Sequence, residues 1–161
     1  MKHIELTQGK IAIVDDEDYE WLSKYKWCAR REDGDHWYAI RKSAGKHLRM
    51  HREILKCPET LHVDHKNGDG LDNRRSNLRT CSNKQNGANR KKNRGQSSSK
   101  FKGVHRKRNK NGWYAQIFVD GKQKSLGVFE TERDAALAYN EAAIFSYGEF
   151  ARVNVISVQT A

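Results

Sequence analysis

Apolar positions occur in short runs between long polar stretches, and the spacing of those runs divides the chain into sections. Over the first fifty residues, the runs Lys10 to Val14, Tyr25 to Arg31 and His36 to Arg41 predict β-strands. The acidic stretch Asp15 to Glu20 opens a short helix, where carboxylates favour the N-terminus. Asp33-Gly34-Asp35 predicts a hairpin turn between two aromatic-bearing strands, and Trp21, Trp27, Trp37 and Tyr38 supply most of the available core. These aromatics either pack or stack on bases, and packing suits a small α+β unit close to neutral.

From about residue 50 to 90 the pattern turns loop-rich. The strand-like Leu61-His62-Val63 leads into Lys66-Asn67-Gly68-Asp69-Gly70, and a helix starts after Ser82 as N-cap. Residues 90–100, RKKNRGQSSSK, contain no apolar residue and predict a flexible, phosphate-tracking linker. Beyond it the strands Phe101 to Arg106, Trp113 to Val119 and Lys122 to Phe129, joined by turns at Asn111-Gly112 and Asp120-Gly121, predict a three-stranded antiparallel sheet. Thr131 and Asp134 form a capping-box pattern, and the helix Ala135 to Phe145 puts Ala135, Ala138, Tyr139 and Ala142 on one face, small enough to lie close to the sheet. The expected fold class is α+β: an N-terminal α+β unit over 1–50, a second section over 51–90, a basic linker over 91–100 and a sheet packed on one helix over 101–156.

Composition narrows the function. Of 161 residues, 36% are hydrophobic and 32% charged, so the cores are small and the polar faces wide. No apolar run approaches the ~20 residues of a membrane span. The N-terminus MKHIELTQGK has no apolar segment of a secretory kind and the three cysteines cannot all pair, so a reducing cytoplasm is expected. The net charge is +11, and its placement matters more than its size. Residues 1–50 carry ten Lys/Arg against nine Asp/Glu, whereas fourteen basic residues and no acid lie between Asp72 and Asp120. Such a field calls for a polyanion, and nucleic acid is the natural partner. The single proline, Pro58, excludes proline-rich recognition.

Within VDHKNGDGLDNRRSNLRTCSNKQN, Asp64 and His65 are adjacent, Asn77 lies twelve residues after His65 and Asn86 nine further on. The run resembles the HNH nuclease family in its His-Asn-Asn variant. That resemblance implies a ββα-metal motif in which Asp64 and Asn86 hold a divalent cation, His65 is the general base and Asn77 pins the loop. The residue types suit these roles. Neighbours at a strand end can splay toward a metal and a separate reactant, which an interior strand would forbid. A neutral imidazole can take a proton from water near pH 7. One carboxylate and one amide oxygen form a hard, weakly charged site for Mg²⁺ or Mn²⁺. A calcium loop fails, because Gly70 at its turn position puts His65 first and Ser76 last. A zinc site fails because Cys28, Cys57 and Cys81 lack paired spacing; Cys57 and Cys81 read as small buried residues or surface thiols. Met50-His51-Arg52-Glu53-Ile54 is similar to the lead-in of phage and intron HNH enzymes. His51 either contacts phosphate or backs the metal site, or is a core or strand-edge histidine.

Phe101-Lys102-Gly103-Val104, Trp113-Tyr114-Ala115-Gln116-Ile117, Leu126-Gly127-Val128-Phe129 and the helix from Asp134 to Ala143 resemble the plant Apetala-two/ethylene-response-factor DNA-binding domain. The resemblance implies a sheet laid in the major groove with the helix behind it. Alternation places Ala115, Ile117 and Val119 on the helix side and Tyr114, Gln116 and Phe118 on the open side. Gln116 can pair with adenine, and Phe118 packs on the hairpin or meets a thymine methyl. Where plant members carry arginines on the first strand, a Glu at Gln116 and an Arg at Phe118, this chain differs, so their GC-box preference does not carry over.

The two resemblances together imply a metal-dependent homing-type endonuclease, phage- or intron-encoded in a bacterial host. It would act as a monomer that nicks double-stranded DNA with no membrane association or small-molecule cofactor. His65 and Asn77 are its catalytic residues and Asp64 and Asn86 its metal ligands. Arg90, Lys91, Lys92 and Arg94, His105, Arg106, Lys107 and Arg108, and Gln116, Phe118 and Gln123 face DNA, while residues 1–50 buttress the nuclease and contact DNA. A non-catalytic DNA-binding regulator with a relic HNH section is the competing reading. An RNA-binding protein would need exposed aromatic platforms that the C-terminal sheet lacks.

Overall fold

A computed structural model describes residues 1–32, 36–92, 97–107 and 111–157, which form an α+β fold in two units, residues 1–86 and 87–161. In the first unit, β1 (Lys2–Glu5) and β2 (Ile11–Val14) pair antiparallel and bury Ile4, Ala12 and Val14. Helix α1 (Asp16–Leu22) follows, with Asp16, Glu17 and Asp18 in its first turn. A three-stranded antiparallel sheet then orders β3 (Cys28–Arg31), β4 (Trp37–Ser43) and β5 (Lys46–Arg49). Helix α2 (Met50–Leu55) leads to the hairpin of β6 (His62–His65) and β7 (Leu78–Cys81), and α3 (Asn83–Ala88) begins next.

The expected division at residue 50 separates no cores. Met50, Ile54 and Leu78 are buried in one cluster with Val14, Leu22 and Trp27. Residues 1–55 are therefore the support on which the β6–β7 hairpin is built. Strand β3 starts later than Tyr25 because the Trp27 indole turns inward to donate to the Leu22 carbonyl at 2.9 Å. Strands β1 and β5 escape the pattern because they carry mostly exposed polar residues, KHIE and KHLR. The turn Asp33-Gly34-Asp35 lies outside the described residues.

In the second unit β8 (Val104–His105), β9 (Trp113–Val119) and β10 (Lys122–Phe129) form an antiparallel sheet in the order β10-β9-β8, backed by α4 (Glu132–Tyr147). The Thr131 hydroxyl accepts from the Asp134 amide at 3.1 Å, capping α4. Ala135, Ala136, Tyr139 and Ala143 are buried; Ala138 and Ala142, expected on this face, are only half-buried. The first strand is two residues long because Gly103 turns the chain at φ 75°, and a Cβ there would stand 2.0 Å from the Tyr139 ring. The segment expected as a free linker is tied to this unit where it is described. Lys92 Nζ donates to the carbonyls of Ser99 and Phe101 at 2.7 Å each, and Lys102 Nζ to those of Ala88 and Arg90 at 2.7 Å each. Among the described residues no helix is long and apolar enough to cross a membrane.

Candidate active site

Asp64 and His65 are the last two residues of β6, and both are buried. Register sets Asp64 opposite Arg79 and His65 opposite Leu78 on β7. Arg79 donates from Nε at 2.9 Å and Nη2 at 2.7 Å to Asp64 Oδ2. Asn86 lies half-buried on α3, whose start is fixed by a reciprocal cap: Ser82 Oγ accepts from the Gln85 amide, and Gln85 Oε1 accepts from the Ser82 amide. No three His, Cys, Asp or Glu side chains gather into a metal cage among the described residues. The carboxylate of Asp64 and the amide oxygen of Asn86 are hard donors. A pair of them fits Mg²⁺ or Mn²⁺, which retain waters and take phosphate oxygens, rather than a zinc cage.

His65 sits in an aromatic corner drawn from the support. Its ring centroid is 5.0 Å from that of His51, with the planes at 86°, and 5.9 Å from Tyr38, while Tyr38 and His51 stand 5.6 Å apart. Tyr38 comes from β4 and packs over Gly70, where a Cβ would lie 2.6 Å from its ring. His51 is presented by α2, which two neighbouring side chains fix in place. Glu53 accepts from Arg41 Nε and Nη2 at 2.9 and 2.7 Å, and Arg52 donates to the carbonyls of Leu61 and Pro58 at 2.8 Å each. His51 Nδ1 is buried with no hydrogen-bond partner among the described residues. Burial lowers the pKa of His65 below the ordinary 6.5, an effect that Asn73 and the carboxylates of Asp64, Asp69 and Asp72 only partly offset. Burial, followed by the charges of His65, Arg49 and Arg52, holds His51 well below that value. Both rings are neutral at pH 7, the state a proton acceptor needs.

The loop between β6 and β7 is held at both ends. Asn77 Oδ1 accepts from the Asn67 amide at 3.0 Å, and its Nδ2 donates to Asn67 Oδ1 at 3.1 Å and to the Asp72 carbonyl at 2.8 Å. Loop residues 71–73 lie along β2: the Ile13 amide donates to the Leu71 carbonyl at 2.9 Å and the Asn73 amide to the Ile13 carbonyl at 2.8 Å. Arg74 pairs with Asp72 and holds its carboxyl below the usual range. Arg75 reaches α1, where Asp18 accepts two of its hydrogen bonds and Glu17 forms an ion pair with it.

On the second unit, Phe118 is 62% exposed, and Gln116 and Gln123 bond side chain to side chain on the open side of the sheet. Arg106 covers Trp113 with its guanidinium carbon 4.5 Å from the ring centroid, Lys107 Nζ lies 4.9 Å from that of Tyr114, and His105 stacks on Tyr114. Arg90 and Lys91 are exposed, whereas the ammonium of Lys92 is directed at backbone carbonyls, away from the phosphate-tracking role. Arg94 and Arg108 lie outside the described residues. The sequence reading left Tyr38 as a core aromatic and His51 open, and it missed Asn67, Asn73, Arg75 and Arg79. Asn73, Arg75 and Arg79 act through partners on β2, α1 and β6, and only the crowding of Asn and Arg in LDNRRSNLR points to them; Asn67 acts within its own loop, through Asp72 and Asn77.

Asp64 and the buried His65 close one strand, Asn77 ties the loop that follows, and Asn86 lies on the next helix. The chain belongs to the HNH endonucleases. The profile of that family matches residues 56–88, the segment that carries Asp64, His65, Asn77 and Asn86. Over 155 residues the chain is 34% identical to an uncharacterized HNH endonuclease of Acanthamoeba polyphaga mimivirus, an alignment covering 92% of this chain and 77% of the relative. No solved structure matches the chain.

Proposed function

We infer that the protein is a divalent-metal-dependent DNA endonuclease of homing type, which cuts one strand of a duplex per encounter and acts as a monomer. The observation that carries this reading is the placement of buried His65 beside Asp64 at the end of β6. Asp64 and Asn86 would hold Mg²⁺ or Mn²⁺, which when bound stabilises charge on the phosphate and the departing oxygen. His65 takes a proton from a water, and that water's oxygen bonds to phosphorus. The bond to the 3′ oxygen breaks, and solvent water protonates the leaving oxygen, giving a 5′-phosphate and a 3′-hydroxyl. Asn77 holds the loop, and Tyr38 and His51 hold the His65 ring. The second unit would lay its open face, with His105, Lys107, Gln116, Phe118 and Gln123, against the duplex in the manner of Apetala-two domains, with Arg106 reaching phosphate from the sheet's edge.

Supercoiled plasmid incubated with and without Mg²⁺ tests the reading. Conversion to open circles that needs the metal and is abolished by His65→Ala, with DNA affinity retained, is the expected result. Affinity without cleavage under every metal condition supports the regulator instead. Linear product at the earliest times, with a rate rising as the square of protein concentration, excludes a monomer that nicks.

A further inference from the structure

The carboxylate assigned to the divalent ion already has a cation against it. Arg79 stands directly across the β6–β7 ladder from Asp64, and its Nε and Nη2 give Oδ2 two bonds of 2.9 and 2.7 Å. The two side chains are 11% and 6% exposed. A guanidinium does not lose its charge, and at this depth little water screens it. The other arginines of the segment pair with carboxylates outside the proposed metal site, Arg74 with Asp72 and Arg75 with Asp18. Arg79 alone of the three is set on a proposed metal ligand.

We propose that Arg79 is the resident counter-cation of Asp64 and governs metal loading, keeping the ion weakly bound until DNA phosphate arrives. The inference rests on the assignment of Asp64 as a metal ligand. An incoming dication must share the carboxylate with Arg79 and stand close to its positive charge, so both effects weaken binding to the free protein. Phosphate oxygens reverse this. They supply the missing negative charge, and the planar fork of Arg79 suits them. Metal and DNA then strengthen each other's binding by the same factor.

The test is Mn²⁺ binding to the full chain without DNA, read by electron paramagnetic resonance of the free ion. Wild type is compared with Arg79→Gln, Arg79→Lys and Asp64→Asn, each checked for folding by circular dichroism. Arg79→Gln is expected to bind Mn²⁺ about tenfold more tightly, Arg79→Lys to keep the weak wild-type affinity, and Asp64→Asn to bind none at this site. An uncleavable phosphorothioate duplex is expected to tighten wild-type Mn²⁺ binding by about tenfold and that of Arg79→Gln by less. If Arg79→Gln binds no more tightly while Asp64→Asn still abolishes binding, the counter-cation role is overturned and the ligand assignment stands. If Asp64→Asn leaves binding unchanged, the metal site itself is misassigned. If Arg79→Gln does not fold, Arg79→Met replaces it; if neither folds, the wild-type measurement decides, and no gain on adding the duplex overturns the proposal.

Discussion

Arg75 and Asp18, 57 residues apart, are joined by two hydrogen bonds of 2.8 Å, one from Nε and one from Nη2. Asp18 is almost fully enclosed, with its second oxygen shared by the Trp21 indole at 3.2 Å. The pair fastens the loop of the nuclease segment to the first turn of α1, so the acidic run does more than favour a helix start: it forms the socket for a distant arginine.

Arg75→Ala should therefore destabilise the protein by about 1–3 kcal/mol, because it takes two hydrogen bonds from an enclosed carboxylate while Arg75 itself is half-exposed. Glu17, which also touches Arg75 but is 67% exposed, should matter little when changed to Ala. Urea unfolding of the two variants checks the contrast; equal small losses would mean that the Asp18 charge is well solvated.

Asn77→Ala removes three hydrogen bonds from the β6–β7 loop and should cost roughly 1–3 kcal/mol, net of solvation. Faster amide exchange at Asn67 and in residues 68–72, with slow exchange kept in β3 and β4, is the expected signature. Uniformly faster exchange would instead mean that Asn77 supports the whole unit.

Stability should depend on pH through His51 and His65. Both have folded pKa values below 6.5, so under acid the unfolded chain binds protons first. Stability is then full above about pH 6.5 and falls as the pH drops from there toward the folded values. His51 is faced by His65, Arg49 and Arg52, whose positive charges add to the effect of burial; His65 has Asp64, Asp69 and Asp72 nearby. His51→Gln should remove the larger part of the slope, and thermal melts between pH 5 and 8 measure it. A slope unchanged in His51→Gln would assign the effect elsewhere.

The geometry of the hairpin and the following helix is legible in the sequence, because adjacency along the chain is enough to place Asp64 beside His65 and to start α3 after Ser82. It also carried the C-terminal sheet, where alternation in β9 buries Ala115, Ile117 and Val119 and leaves Phe118 out. What it hid depends on register and on long-range packing. Arg79 meets Asp64 only because the intervening loop sets the pairing, and Tyr38 reaches His65 only because Gly70 leaves room for its ring. Helix α2 was hidden because its six residues are too few to show a period, and tertiary ties from Arg52 and Glu53 hold it.

Binding to DNA should lose salt dependence unevenly. Each phosphate contact removed lowers the slope of log affinity against log salt by roughly 0.9. Exposed Lys91 or Arg106 changed to Ala should show such a drop. Lys92→Met should leave the slope unchanged and lower the melting temperature instead, because its ammonium serves the carbonyls of Ser99 and Phe101. An equal drop for Lys92→Met would show that it leaves those carbonyls on binding.

The ladder joining Ile13 to Leu71 and Asn73 bears on how this nuclease can be exchanged between proteins. A graft limited to the catalytic hairpin would leave behind the strand its loop lies along, the socket for Arg75 and two of the three rings in the histidine corner. The smallest transplantable cassette should therefore run from residue 1 through the end of α3 at Ala88, and recombination junctions inside that span should yield inactive hybrids even when every motif residue is kept.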